Sequence, residues 1–122
     1  MSNDDDLSAM TLQQHDDDEL FLMVNLYPRS TGLLMTIWAG PGDGSHAARI
    51  KVNMAHGDRM SMSNTAVVGI LPGPHLVAGN LSTEDLATVS AWIELNREAL
   101  LAHWQGDIDG AEMAARVRKL PG

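Results

Sequence analysis

His56-Gly57-Asp58-Arg59 is the most polar small cluster in the body of this 122-residue chain. An imidazole held by a carboxylate is the pair that general acid–base chemistry uses, so His56 oriented by Asp58 is one candidate site. Residues two apart on a turn need not face each other, and no Ser or Cys stands in a nucleophile context nearby. The competing reading is a hairpin turn with Gly57 at positive φ. Met54, His56, Met60 and Met62 crowd the same stretch, and a sheet could bring His46 and His75 to it. Thioether plus imidazole is soft ligation, suited to Cu(I). Against a metal, Met54 falls on the apolar side of its strand, Met commonly fills core gaps, and compact zinc spacings are absent. A metal-dependent enzyme using His46, His56 and Asp58 is kept as an alternative. The expectation from the residues is a protein that is not an enzyme and carries no cofactor.

Residues 39–45, Ala-Gly-Pro-Gly-Asp-Gly-Ser, have the glycine content of a phosphate-cradling loop. Such loops end in Gly-Lys-Ser/Thr and open a helix whose N-terminus meets the phosphate. This one has no Lys and leads into a strand, so it is expected to be a hairpin connection. Asn96 interrupts an apolar helical stripe and is expected to bond a neighbouring backbone, because buried polar groups find partners within the fold. Trp38, Trp92 and Trp104 are expected to pack between helix and sheet.

The charges divide the chain unevenly. Asp4, Asp5, Asp6, Asp16, Asp17, Asp18 and Glu19 are seven of its 16 acids, and the first nineteen residues hold no Lys or Arg. The remainder carries nine acids and eight bases, a nearly neutral body behind an acidic arm. Between residues 29 and 59 the balance reverses, with Arg29, Arg49, Lys51 and Arg59 against Asp43 and Asp58. Arg49 and Lys51 share the outer face of one strand, which could receive an acidic partner or the arm itself. As a nucleic-acid platform the segment is weak, since no aromatics interleave with the bases.

These residues need elements to position them. Residues 1–18 are too polar to offset the entropy of ordering and are expected to form a disordered acidic arm, with 8–14 able to become a short helix on a partner. Residues 19–122 form a single domain. Residues 20–27 are an apolar run closed by Pro28, expected as a buried strand, and 33–39 a second. Residues 48–54 alternate, with Ile50, Val52 and Met54 on one face and Arg49, Lys51 and Asn53 on the other. Strands are also expected at 65–71 and 75–78. Ser82 is a good N-cap for a long helix with Leu86, Val89, Ile93, Leu100 and Trp104 in its stripe, Trp92 beside it and Gly106 at its end. Asp109 can cap a second helix, with Met113 and Val117 on one side and Arg116, Arg118 and Lys119 at its negative end before Pro121. Strands followed by helices give an α+β domain: an antiparallel sheet of four to five strands packed by one long C-terminal helix plus a short terminal helix.

The bulk properties exclude several classes. With no Cys there are no disulfides, thiolate sites or cysteine nucleophiles. The start is acidic and lacks the apolar core of a signal peptide, and no apolar run approaches the roughly 20 residues of a membrane helix. A cytoplasmic protein with no membrane association is expected.

Trp92, Asn96, Arg97, Glu98, Leu100 and Trp104 also form a pattern. It resembles the closing helix of a toxin–antitoxin-associated family of small bacterial domains of unknown function, often encoded beside an antitoxin-like or DNA-binding partner. In that family a strand carries a His-x-His motif; here His46-Ala47-Ala48 supplies one His and lacks the second. The resemblance implies a small partner-binding protein. The leading expectation is therefore a protein-binding, regulatory module of bacterial or phage origin. Its contact residues would be Asp4, Asp5, Asp6, Asp16, Asp17, Asp18, Glu19, Arg49, Lys51 and Arg59, with a sheet edge that could pair two copies. The alternative within binding is an acidic nucleic-acid mimic that inhibits a defence complex; direct nucleic-acid binding is not expected.

Overall fold

Alternation along Arg49–Asn53 sets the two sides of this molecule: Ile50 and Val52 are buried, while Arg49 and Lys51 stay partly exposed. In a computed structural model, which describes residues 23–42, 44–58 and 62–121, this strand is the centre of a five-stranded sheet. The strands are β1 (Val24–Leu26), β2 (Ile37–Ala39), β3 (Arg49–Asn53), β4 (Thr65–Gly69) and β5 (His75–Ala78). They lie side by side in chain order, every pair antiparallel. Among the described residues three α-helices accompany them, α1 (Pro28–Thr31), α2 (Thr83–Trp104) and α3 (Gly110–Arg116), with a 3-10 turn at Met62–Asn64. This is the expected α+β architecture. The acidic residues 1–18, the short helix expected at 8–14, residues 20–22 of the first apolar run, Asp43, Arg59 and Met60 lie outside the described residues.

Helix α2 forms where its signals place it. The Ser82 hydroxyl accepts from the Asp85 N–H, and Glu84 and Asp85 occupy the positive first turn. The buried residues Val89, Trp92, Ile93, Asn96, Ala99, Leu100 and His103 recur at helical spacing. Of these, Val89, Trp92, Ile93 and Leu100 meet Ile37, Ile50, Val52 and Val68 from the sheet in one core. Gly106, at φ +83°, supplies the left-handed residue after the helix. Trp92 is fully buried within the stripe rather than beside it, and Trp104 packs only at its margin.

Several local expectations are corrected. Among the described residues the first apolar run gives Val24–Leu26 as strand, and it ends there because Tyr27 is the N-cap of α1, with Pro28 in its first turn and Gly32 (φ +79°) closing it. Proline's fixed φ suits the start of a helix, so Pro28 opens an element instead of only ending one. Residues 33–36 approach the sheet without joining its ladder, apart from a bridge between Met35 and Gly57. Asn53 is buried, unlike its face-mates Arg49 and Lys51. The chain folds back there, and the Asn53 amide donates to the Ala55 carbonyl at 2.7 Å. Helix α3 ends at Arg116, well before Pro121, so Arg118 and Lys119 lie beyond its last turn.

The segment after α3 is tied down by the residue that breaks the apolar stripe. Asn96 donates to the carbonyls of Trp92 and Arg118, both at 3.0 Å, and accepts from the Arg118 N–H at 2.6 Å. A buried amide thus replaces the partners that an extended backbone would otherwise lack. Two residues on, the Leu120 N–H donates to the Thr31 carbonyl at 2.8 Å.

Candidate partner-binding face

The register of the sheet assembles a row that runs across its outer side. Asn25 faces Trp38, Trp38 faces Lys51, Lys51 faces Val67, and Val67 faces Ala78. Directly opposed residues project to the same side of a sheet, so these five share the face turned away from α2. A second row sets Arg49 opposite Gly69, and Gly69 opposite His75. Gly69 gives the His75 ring its room: a Cβ there would meet the ring, which lies directly over this glycine. The His75 Nδ1–H donates to the Gly73 carbonyl at 2.7 Å, which leaves Nε2 as the ring's other polar atom. The irregularity between Val67 and Val68 gives β5 an extra residue and brings His75 into this row.

The electrostatics of the face are simple. None of the five strands contains Asp or Glu. Arg49 donates from Nε to the Ala47 carbonyl at 3.1 Å, which leaves the end of its guanidinium without a carboxylate. Among the described residues, the ion pairs join His56 to Asp85, Arg97 to Glu94 and Arg116 to Glu112, and none reaches Arg49 or Lys51. The helical side has the opposite balance, with seven acids against four bases over residues 83–121. The Trp38 indole N–H, in the same row as Lys51, is buried without an acceptor.

Of the contact residues expected from sequence, the fold brings Arg49 and Lys51 together. Arg59 and the acids Asp4, Asp5, Asp6, Asp16, Asp17, Asp18 and Glu19 lie outside the described residues. Arg29 sits elsewhere, its guanidinium 4.8 Å from the Tyr27 ring centre. Trp38 and His75 were not assigned to a contact surface by sequence reasoning. Trp38 could have been found by counting alternation back from a paired β3, whereas His75 depends on the extra residue in β5.

The other candidates resolve differently. His56 pairs with Asp85 at 3.0 Å, not with Asp58, and so ties the β3–β4 connection to the first turn of α2. Gly57 takes φ +108°, as the turn reading requires, and its carbonyl accepts from Thr36 Oγ1 at 2.9 Å. His46 lies on an exposed loop with Nδ1 3.0 Å from Ser45 Oγ. Among the described residues no three His, Asp or Glu side chains converge as a metal-binding group. The glycine-rich loop joins β2 to β3 and docks on the end of α2, where the Gly42 N–H donates to the Trp104 carbonyl at 2.8 Å. A Cβ on Gly42 would strike the Trp104 ring at 2.7 Å, so the loop is an anchor rather than a phosphate cradle.

A cleft of about 340 Å³ opens on the helical side, lined by Leu95, Asn96, Glu98, Ala99, Arg116 and Arg118. Its polar groups are largely committed: Asn96 holds the Arg118 backbone and Arg116 pairs with Glu112. Nearby, His103 is buried, and burial lowers its pKa from the ordinary 6.5 against the smaller opposing pull of Asp109. No helix among the described residues is long and apolar enough to cross a membrane.

Comparison with known proteins gives one result. No curated protein and no solved structure matches the chain. A family model described as a domain of unknown function (DUF4160) matches residues 59–105, which take in β4, β5 and all of α2. Over that stretch, and not over β3 with its Arg49 and Lys51, the chain is similar to an uncharacterised domain family.

Proposed function

We propose that this chain is a non-enzymatic protein-binding module of bacterial or phage origin, which acts in the cytoplasm by docking on a partner protein and regulating it, in the manner of toxin–antitoxin components or of inhibitors. One observation carries the reading: Arg49, Lys51, Trp38 and His75 share one sheet face that has no acidic residue on any strand. Arg and aromatic side chains are the groups that protein interfaces concentrate at their centres. Their arrangement suits a protein that presents carboxylates around an apolar patch. Pairing of two copies through the edge of β1 or β5 is the accompanying proposal for assembly.

The test is affinity capture from the source cells with the full chain and with its R49E/K51E variant. The captured protein should be lost with the double variant and kept with R116E, a change on the helical side. Equal capture by R49E/K51E would place the interface elsewhere.

A further inference from the structure

We infer that the edge strand β5 is a self-pairing surface: His75–Ala78 of one copy lies antiparallel beside His75–Ala78 of a second, joining two five-stranded sheets into one. This rests on the assembly part of the reading above and narrows it to one edge; docking of a partner on Arg49 and Lys51 is a separate property.

The first support is that β5 is open. All four of its residues are exposed, as are Gly79 and Asn80 after it. An edge strand turns the N–H and C=O of alternate residues away from its neighbour, a ready template for another strand. Among the described residues no backbone bond outside the pairing with β4 reaches His75 to Ala78. The other edge strand is less free. In β1 Leu26 is buried and Val24 is half-buried, packed so closely against α3 that a Cβ on Gly110 would strike Val24 Cγ2 at 2.7 Å.

The second support is the chemistry of the strand. Edges are normally guarded by charged side chains or proline. β5 has no Asp, Glu, Lys, Arg or Pro, and its one guard is the extra residue set against Val67 and Val68. It exposes Leu76 and Val77 instead, at 36% and 44%. Leu76 lies opposite the fully buried Val68, so it continues the apolar inner side of the sheet out to the open edge. A second β5 extends that side and takes Leu76 and Val77 out of water. Without Asp, Glu, Lys or Arg the strand does not select a neighbour by charge. Its own copy matches it in length and apolar character, and a two-fold axis closes the pair. The contact is smaller than the about 1,200 Å² of stable interfaces, so the dimer forms only as concentration rises.

Sedimentation equilibrium of the full chain, from micromolar to millimolar concentration, tests this. The mass should rise towards that of a dimer and stop there. Added salt should strengthen the dimer, because two chains of net charge −8 repel at low ionic strength. In high salt V77K should weaken association about tenfold or more. L34K makes the same charge change at an exposed leucine ahead of β2 and should associate like the parent, as should R49E/K51E. Amide exchange at His75 to Ala78 of the parent chain should slow as concentration rises, a readout that stands even if V77K fails to fold. A monomer at millimolar concentration in high salt overturns both the β5 assignment and the assembly reading. Association that V77K leaves undiminished, or that R49E/K51E abolishes, or that leaves exchange in β5 unchanged, keeps the assembly but overturns its assignment to β5.

Discussion

The two faces of one sheet have opposite histories of satisfaction. On the inner face Ile37, Ile50, Val52 and Val68 are covered by Val89, Trp92, Ile93 and Leu100 of α2, all of them nearly or fully excluded from water. On the outer face, one residue away along the same strands, Trp38, Lys51, Arg49 and Val67 stay partly exposed, and the cations have no carboxylate among the described residues. The inner face carries the buried core, and the outer face is the surface proposed for recognition. Function is sought where the structure leaves chemistry unpaired, not where it is densest in polar residues, since the His56 cluster is occupied by Asp85.

The comparison can be broken from its strong side. Trp92→Ala should cost about 3–5 kcal/mol, because a large buried ring leaves a cavity that helix and sheet cannot fully close. Urea denaturation measures this, and a loss under about 1 kcal/mol would mean that the inner face is not the principal core.

A smaller effect sharpens the inner side further. His103 is buried neutral, with its pKa below the 6.5 of an exposed imidazole. The unfolded chain then binds a proton more readily than the folded one as pH falls through 6.5. Stability contributed by the neutral ring is present above that value and declines below it, towards the lowered folded pKa. Denaturation midpoints should fall between about pH 7 and about pH 5.5, and His103→Phe should flatten that slope. An unchanged slope would assign the pH dependence to other groups.

The smallest effect belongs to the outer face. R49E/K51E should change stability by about 0.5 kcal/mol or less, since partly exposed charges without partners contribute little to folding. A larger destabilisation, read by thermal melting, would make these cations structural and weaken the contrast between the faces.

Much of the inner face was legible in the sequence. Ser82 and Asp109 cap their helices as their positions promised. The strand at 75–78 appears with the expected ends. Asn96 bonds backbone groups, as an amide inside an apolar stripe must: Trp92 is one turn away, whereas Arg118 lies 22 residues away and no local pattern names it. What failed was local in origin. Pro28 reads as an end, although the same fixed φ also opens a helix, and Asp58 is a candidate partner of His56, beside the turn reading, only through proximity in sequence. Asp85 is 29 positions away and arrives only when α2 is laid against the sheet.

By itself the sequence determined the elements, their order and the segregation of acids to the arm and helices, because periodicity, capping and composition act over a few residues. Only the tertiary structure decided which residues share a surface. Placing Trp38 and His75 beside Arg49 and Lys51 required the pairing register and one extra residue in β5. Those are set by the packing of the whole sheet against α2, and no single segment encodes them.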